Sequence, residues 1–398
     1  MISHATVPTT PAANMHWQPI PATSWQPTTT HQLLLRVICG TDEAAIAAWQ
    51  TWVQQIDIEQ LDEGSYWLLP RVYQRCPTLE ISDPSPRETA TWQRLKGVYR
   101  HVWSRNQMIL RYLGEAVQEL KEADIAAVVV GGAALVAAPG ADIGSRRADD
   151  SGIWVPAETL GAALVILKSL GWRPTLSKSP DQLRAQQTAV GLRRQRDTLT
   201  LYWRVLPECP VLGVAGEEAA TGTTLTLGHE FAIALSPTDQ CFACCIQATR
   251  WQPRSPVYWL ADAAHLIQQH PIDWARLIYL GRTHQLTLPL LKSLTHLSSL
   301  LGTAELAQTC QTLRGIPLTA AERAEFAAKA QPYPLWGQLS PLWFEYRRLT
   351  SHHWFQYPAG FAQFLAHRWG LNHSWQVPLH ASKQGVQRLL RAVNSRRN

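Results

Sequence analysis

The stretch that decides the fold reads Ile125-Ala-Ala-Val-Val-Val130-Gly131-Gly132-Ala-Ala-Leu135, and resumes after a loop as Arg146 and then Asp150-Ser151-Gly152-Ile153-Trp154-Val155. The β-branched run predicts a short strand, the glycine pair a tight turn, Ala-Ala-Leu a helix start, and Ile-Trp-Val a second strand. Only alternate residues of a strand share a face, so two carboxylates that hold Mg²⁺ from one strand must be spaced Asp-x-Asp. Here the positions read Asp150-Ser151-Gly152, one carboxylate short. Asp149 does not fill the gap, because a residue adjacent to Asp150 projects from the opposite face.

Gly131 and Gly132 carry no side chains, so a phosphate could approach their backbone where the following helix begins and its dipole favours anions. A packing turn would serve the same pair equally well. Arg146 stands four residues before Asp150 and is expected to pair either with a phosphate or with that aspartate. Asp142 and Asp197 are further carboxylates on predicted loops, and nothing in the sequence brings either to Asp150.

Taken together, these residues resemble the bacterial uncharacterised nucleotidyltransferase-like proteins that are often encoded in polysaccharide or peptide-modification gene clusters. That family's pattern is a strand ending in Lys-Gly-Ala-Ala-Leu, then Gly-x-Arg-x-x-x-Asp-Ile-Asp-Leu-Leu-Val. This chain has Gly131 at the lysine, then Gly132-Ala133-Ala134-Leu135, Gly144, Arg146 and Asp150, with Gly152 in place of the second aspartate. A later family strand, Glu-Leu-His-Trp-Arg, corresponds to Thr200-Leu201-Tyr202-Trp203-Arg204, so the acidic position has become Thr200 and the histidine Tyr202. Trp259-Leu-Ala-Asp262-Ala, Ile272-Asp273-Trp274, Gly360-Phe361 and Arg368-Trp369-Gly370-Leu371 extend the likeness into the C-terminal half. A Trp-x-x-Asp-Ala segment on a helix most simply supplies core contacts and one capping or ion-pair carboxylate.

The resemblance implies an α+β fold, with a small mixed-sheet nucleotidyltransferase-like core flanked by helical modules. It implies nucleotidyl transfer from a nucleoside triphosphate to an unknown acceptor. In that reading Asp150 and Arg146 are catalytic, Gly131, Gly132 and Arg146 bind the nucleotide, and Asp150 holds Mg²⁺. The loss of carboxylates at Gly152 and Thr200 keeps a second reading open, an inactive nucleotide-binding or partner-binding scaffold or regulatory protein.

Periodicity sets the expected organisation. Residues 1–30 are rich in Thr, Pro and Ala, with Trp-Gln-Pro triplets from Trp17 and Trp25, and are expected to be a disordered tail with little apolar surface to bury. Helical spacing covers 31–122, with a last helix from about Glu88 to Lys121 that is expected to break once. The mixed α/β core is expected over 123–212, with strands Ala127–Val130, Ile153–Val155, Gln187–Arg193 and Thr198–Val205 and a helix from Ala157 to Leu170. A Gly- and Thr-rich link near 214–228 should lead into a helical module over 225–398, whose first helix starts at Ser236-Pro237-Thr238-Asp239, with serine as N-cap.

Composition narrows the class. The chain has 398 residues, is 46% hydrophobic and carries a formal charge of +6 with only 17% charged residues. That balance does not indicate nucleic-acid binding. Lys383, Arg388, Arg391, Arg396 and Arg397 form a basic tail that could meet phosphate or an acidic membrane, or simply lie on a solvated helix. Seven scattered cysteines and the lack of a leader-like opening make a reducing cytoplasm the expectation. The most apolar stretch, Ile125 to Ala138, is shorter than the roughly 20 residues a membrane helix needs, so no span is expected. Cys241-x-x-Cys244-Cys245 lacks a second metal pair and reads as core. The fourteen histidines, among them His229, His352, His353, His367 and His373, make no recognised metal pattern, and no Gly-x-Ser-x-Gly or P-loop motif is present.

Overall fold

The computed structural model describes residues 25–79, 84–209, 222–250, 255–330, 339–349 and 357–382. Most of the expected N-terminal tail, and the basic segment from Lys383, lie outside the described residues.

The described residues open with α1 (Thr29–Cys39), α2 (Asp42–Gln55), α3 (Glu63–Arg75) and α4 (Pro86–Glu122). Each begins at a Thr, Asp or Ser whose side chain accepts a free backbone N–H of the first turn: Thr28, Thr41, Asp62 and Ser85. The single break expected in the last of these helices is absent, for α4 runs unbroken over 37 residues. From Leu95 onward its buried positions Leu95, Val102, Ile109, Leu113, Val117 and Leu120 keep one apolar stripe. A continuous stripe gives that part of the helix one packed face and no reason to bend.

Asp62 joins two of these helices, since it accepts from the Ser65 N–H at 3.0 Å and from His31 Nε2 at 2.8 Å. Burial alone would raise its carboxyl, but the His31 and Ser65 interactions outweigh it and bring the pKa from 3.8 down to about 2. A depressed folded-state value stabilises the protein above the unfolded pKa, and the contribution is lost as pH falls through the folded one. Asp62→Ala should therefore lower stability by about 1–2 kcal/mol near neutrality. Its deficit in denaturant melts should close as pH falls from about 4 towards about 2.

The middle of the chain runs β1 (Val128–Val130), α5 (Gly132–Val136), β2 (Gly152–Trp154), α6 (Leu160–Ser169), β3 (Arg173–Pro174), α7 (Pro180–Gln186), β4 (Ala189–Arg194), β5 (Asp197–Tyr202), β6 (Thr223–Leu227) and β7 (Glu230–Ala234). The strands form one mixed sheet in the order β3-β4-β5-β2-β1-β7-β6. Helix α6 is preceded by a single 3-10 turn at Ala157–Thr159, so the helix expected from Ala157 starts in earnest at Leu160.

The hairpin of β6 and β7 corrects the sequence reading, which placed a link up to residue 228 and a helical module from residue 225. Leu225, Leu227, Ala232 and Ala234 alternate with exposed residues and bury themselves against the sheet, with Gly228 turning the chain at φ 68°. The last strand then lies parallel to β1, with Val128 opposite Ile233. Thr-Leu-Thr-Leu is a strand alternation, which a count of glycine and threonine over the window conceals.

Helices α8 (Pro237–Ala248), α9 (Val257–Gln269), α10 (Trp274–Thr283), α11 (Thr287–Leu301), α12 (Ala304–Arg314), α13 (Ala320–Lys329), α14 (Leu339–Leu349) and α15 (Tyr357–Arg368) complete the fold. Ser236 caps the first of them, as its sequence predicts. The flanking helical segments share one core, in which Leu34, Trp49, Trp52 and Leu68 of the N-terminal helices pack with Phe242, Leu260, Leu290 and Leu294. Cys241, Cys244 and Cys245 lie inside that core. A second core joins the α4 stripe and α6 to one face of the sheet through Val129, Ile153, Leu199 and Leu201. The other face carries Val128, Val130, Trp154 and Tyr202. Among the described residues, no helix is long and apolar enough to cross a membrane.

Candidate functional site

Strand register puts the motif positions side by side. Gly152 is paired with Val130 on one side and with Thr200 on the other, and Trp154 is paired with Tyr202. The two positions that lack their acidic residues are therefore direct neighbours on adjacent parallel strands.

The turn between β1 and α5 is closed by the segment that precedes β2. Gly131 takes φ 79°, a conformation that favours glycine. A Cβ on Gly132 would stand 2.7 Å from Asp150 Oδ1 and closer still to the Arg146 guanidinium. The N–H of Gly132 donates to Asp150 Oδ1 at 3.1 Å, and the N–H of Ala133 donates to Ser151 Oγ at 2.6 Å. The glycine turn thus receives the protein's own oxygens at the place where a phosphate was expected.

Arg146 is the centre of the arrangement. Its Nη2 donates to Asp150 Oδ2 at 2.7 Å, and its Nη1 bonds Asp150 Oδ1 and the Arg147 carbonyl. Its Nε and Nη2 also bond Asp262 of α9, the Nη2–Oδ2 distance being 2.8 Å. Asp262 in turn accepts from Arg71 of α3 at 2.7 Å. The guanidinium of Arg146 lies 5.3 Å from the ring centroid of Tyr258 and 5.6 Å from that of Trp259. Arg146 is 2% exposed and Asp262 fully buried. Burial would neutralise both, but their mutual attraction prevails and holds Arg146 well above its ordinary value and Asp262 below the usual carboxylate range.

The loop that carries Arg146 is clamped from α4. Asn106 donates to the carbonyls of Ile143 and Arg146 at 2.6 and 2.7 Å and accepts from the Ala148 N–H at 3.0 Å. The other nearby carboxylates are engaged away from Asp150. Asp142 accepts from Tyr99 and from the Gly144 N–H, while Asp197 accepts from Arg105. Asp149 pairs with Arg147 and Arg105; burial would raise its carboxyl, but these cations hold it down.

Tyr202 fills the space beside Gly152. A Cβ built on Gly152 would stand 2.5 Å from the Tyr202 ring and closer still to the Thr200 carbonyl. Burial, and after it the charge of Asp150, push the Tyr202 phenol up to about 12, while a hydrogen bond with the Thr200 side chain acts the other way. The residues present do not fit Mg²⁺, which wants near-octahedral oxygen ligands. Asp150 has both oxygens bound within the protein, Gly152 offers none, and Thr200 offers a neutral hydroxyl. Among the described residues, no group of three His, Cys, Asp or Glu side chains could hold a metal ion.

The structure therefore joins Gly132, Arg146 and Asp150 by hydrogen bonds with Gly131 close against the Asp150 backbone, and it gives Asp262 the ion-pair role that its helical context suggested. Sequence reasoning missed Arg71 and the blocking position of Tyr202. A hint of the first was legible, since Arg71 sits in the apolar run Leu68-Leu69-Pro70-Arg71-Val72, and a buried cation requires a partner. No curated protein and no solved structure matches the sequence. The profile of the uncharacterised nucleotidyltransferase family matches residues 67–302, which takes in most of α3, the whole sheet and the helices through α11. A match over more than half of the chain, enclosing every member of the Arg71–Asp262–Arg146–Asp150 chain, places this protein in the uncharacterised nucleotidyltransferase family.

Proposed function

We propose that this member of the family acts by binding, as a regulatory or scaffolding protein that holds a nucleotide or a protein partner, and that it does not carry out Mg²⁺-dependent nucleotidyl transfer. One observation carries the reading: the Tyr202 ring stands over Gly152, where the second metal-binding carboxylate would project. Two-metal transfer requires charge stabilisation at both the attacking and the leaving oxygen, and a single carboxylate already bound to Arg146 supplies neither metal. Membership of the family supports the alternative, transfer of a nucleotidyl group from a nucleoside triphosphate to an acceptor, with Asp150 and Arg146 at the reacting phosphates and Gly131 and Gly132 beneath them.

Isothermal titration with each of the four nucleoside triphosphates, with and without Mg²⁺, separates the two, alongside an assay for pyrophosphate release. The expected result is an affinity that Mg²⁺ leaves unchanged and no pyrophosphate. Tenfold tighter binding with Mg²⁺, accompanied by pyrophosphate, would establish the transferase reading. Absence of binding at millimolar nucleotide, by heat and by equilibrium dialysis, would remove the nucleotide from this reading and overturn the transferase one.

A further inference from the structure

Behind Asp150, on the far side of the buried ion chain, lies a cavity of about 440 Å³ between α1, α3, α9 and the loop of residues 140–145. That volume falls within the range that small-molecule sites occupy, roughly 300–1,000 Å³. A smaller lobe of about 140 Å³ adjoins it and shares Gly140, Ala141, His265 and Gln269. The lining sets polar groups, Arg71, Gln74, Asp142, Ser145, His265 and Gln268, among apolar ones such as Ile38, which separates it from a purely apolar packing defect between helices.

Arg71 is the group that addresses this space. The residue is 5% exposed, and among the described residues its one hydrogen bond is that of Nη2 to Asp262. A guanidinium has five N–H donors in a fixed fork. The remaining Arg71 donors are not sealed into protein, since none of its nitrogens is both buried and without a partner, and they open on the cavity that the residue lines. The other charged groups of the wall are already engaged. Arg75 is bonded to Asp42 and Thr78, and Asp142 accepts from Tyr99 and the Gly144 N–H. His265 also faces the cavity, its imidazole driven down to about 4 by burial and by the neighbouring Arg71, so at neutral pH it can both donate and accept a hydrogen bond.

We propose that this cavity binds a small polar metabolite through an oxyanion group, phosphate or carboxylate, taken by the free donors of Arg71 with His265 beside it. A planar guanidinium set in a low-dielectric wall is suited to two-pronged recognition of such a group. The site is separate from the glycine turn, yet joined to it. Asp262 Oδ1 accepts from both Arg71 and Arg146, and Arg146 holds Asp150. An anion that draws Arg71 toward the cavity leaves Asp262 more fully to Arg146, so occupancy is transmitted to Asp150 and to the rings of Tyr258 and Trp259 that flank Arg146.

The test is isothermal titration of the full chain with inorganic phosphate, glucose 6-phosphate and citrate in turn, which separates phosphate from carboxylate recognition. The expected result is one site for at least one probe, weakened at least tenfold in Arg71→Gln and in Ala141→Phe. The second variant fills the cavity from the loop without touching the ion chain, so it stands even where Arg71→Gln fails to fold. A probe that binds should also change the emission of the wild type more than that of Trp259→Phe. Three silent probes at millimolar concentration, or binding that persists in Ala141→Phe, would overturn the proposal. Nucleotide binding at the Asp150 face should be unaffected by Ala141→Phe, so failure here is distinguishable from failure of the functional reading above.

Discussion

Replacing Asp262 with asparagine is expected to cost about 3–5 kcal/mol of folding stability, as removal of one partner from a buried ion pair typically does. The size follows from what is left behind. Asp262 is the carboxylate shared by Arg71 and Arg146, all three are 5% exposed or less, and the charge is balanced only with Asp150 included. Asparagine keeps the shape but offers no charge, and its amide N–H₂ cannot accept from a guanidinium. One cation is then buried without compensation, and burial penalises it heavily. Denaturant melts monitored by circular dichroism read the effect. Adding Arg71→Met to Asp262→Asn should recover part of the loss, because only Arg146 then remains to be balanced and Asp150 is there to do so. A loss below about 1 kcal/mol in the single variant, the size expected of an exposed pair, would mean that the chain is solvated and not a structural link between α3, α9 and β2.

Gly152→Asp should not restore an active centre. The new side chain starts at a Cβ 2.5 Å from the Tyr202 ring, and nearer the Thr200 carbonyl. Real Cβ atoms do not approach so closely, so a strand in the middle of the sheet must shift. Overpacking of this kind costs about 1–3 kcal/mol, and the added carboxylate, beside Asp150 and with no cation of its own, adds to it. Gly152→Asp with Thr200→Glu should therefore remain inactive and lose stability. Adding Tyr202→His, the residue type at the corresponding place in the family pattern described above, takes away the obstructing phenol ring. The triple variant is expected to melt above the double one. Equal melting of the two would show that Tyr202 is not the obstacle. Pyrophosphate release by the double variant alone would show that ligands, and not space, were the only loss.

The two results bear on how the site came to be legible in part. The sequence places Asp150 and Gly152 on one strand, but β2 begins at Gly152 and Asp150 lies in the turn just before it, where Arg146 and the Gly132 N–H take its carboxylate. Thr200 and Gly152 were matched to the family's acidic positions from separate stretches of sequence, and the parallel register of β2 and β5 sets them opposite each other. What no local pattern contains is the occupant of the space between them. Tyr202 is two residues beyond Thr200, an ordinary spacing for a strand, and its blocking role exists only when both strands are paired. The hairpin of β6 and β7 was missed for a different reason: its Thr-Leu alternation is short, and it stands next to glycine-rich sequence that reads as a link.

By itself the sequence determined the strand, glycine turn, helix and strand that frame the site, the capped helices on either side, and the deficit of carboxylates at Gly152 and Thr200. These are set by side-chain period, backbone freedom and residue chemistry over a few positions. Only the tertiary structure decided that Arg146 turns inward to Asp150 and Asp262, that Arg71 completes the chain from α3, and that a cavity lined in part by polar groups opens behind it. Arg71 and Asp262 are 191 residues apart. Their pairing follows from the requirement that buried charges meet, a constraint that acts through space once α3 and α9 have packed into a single core.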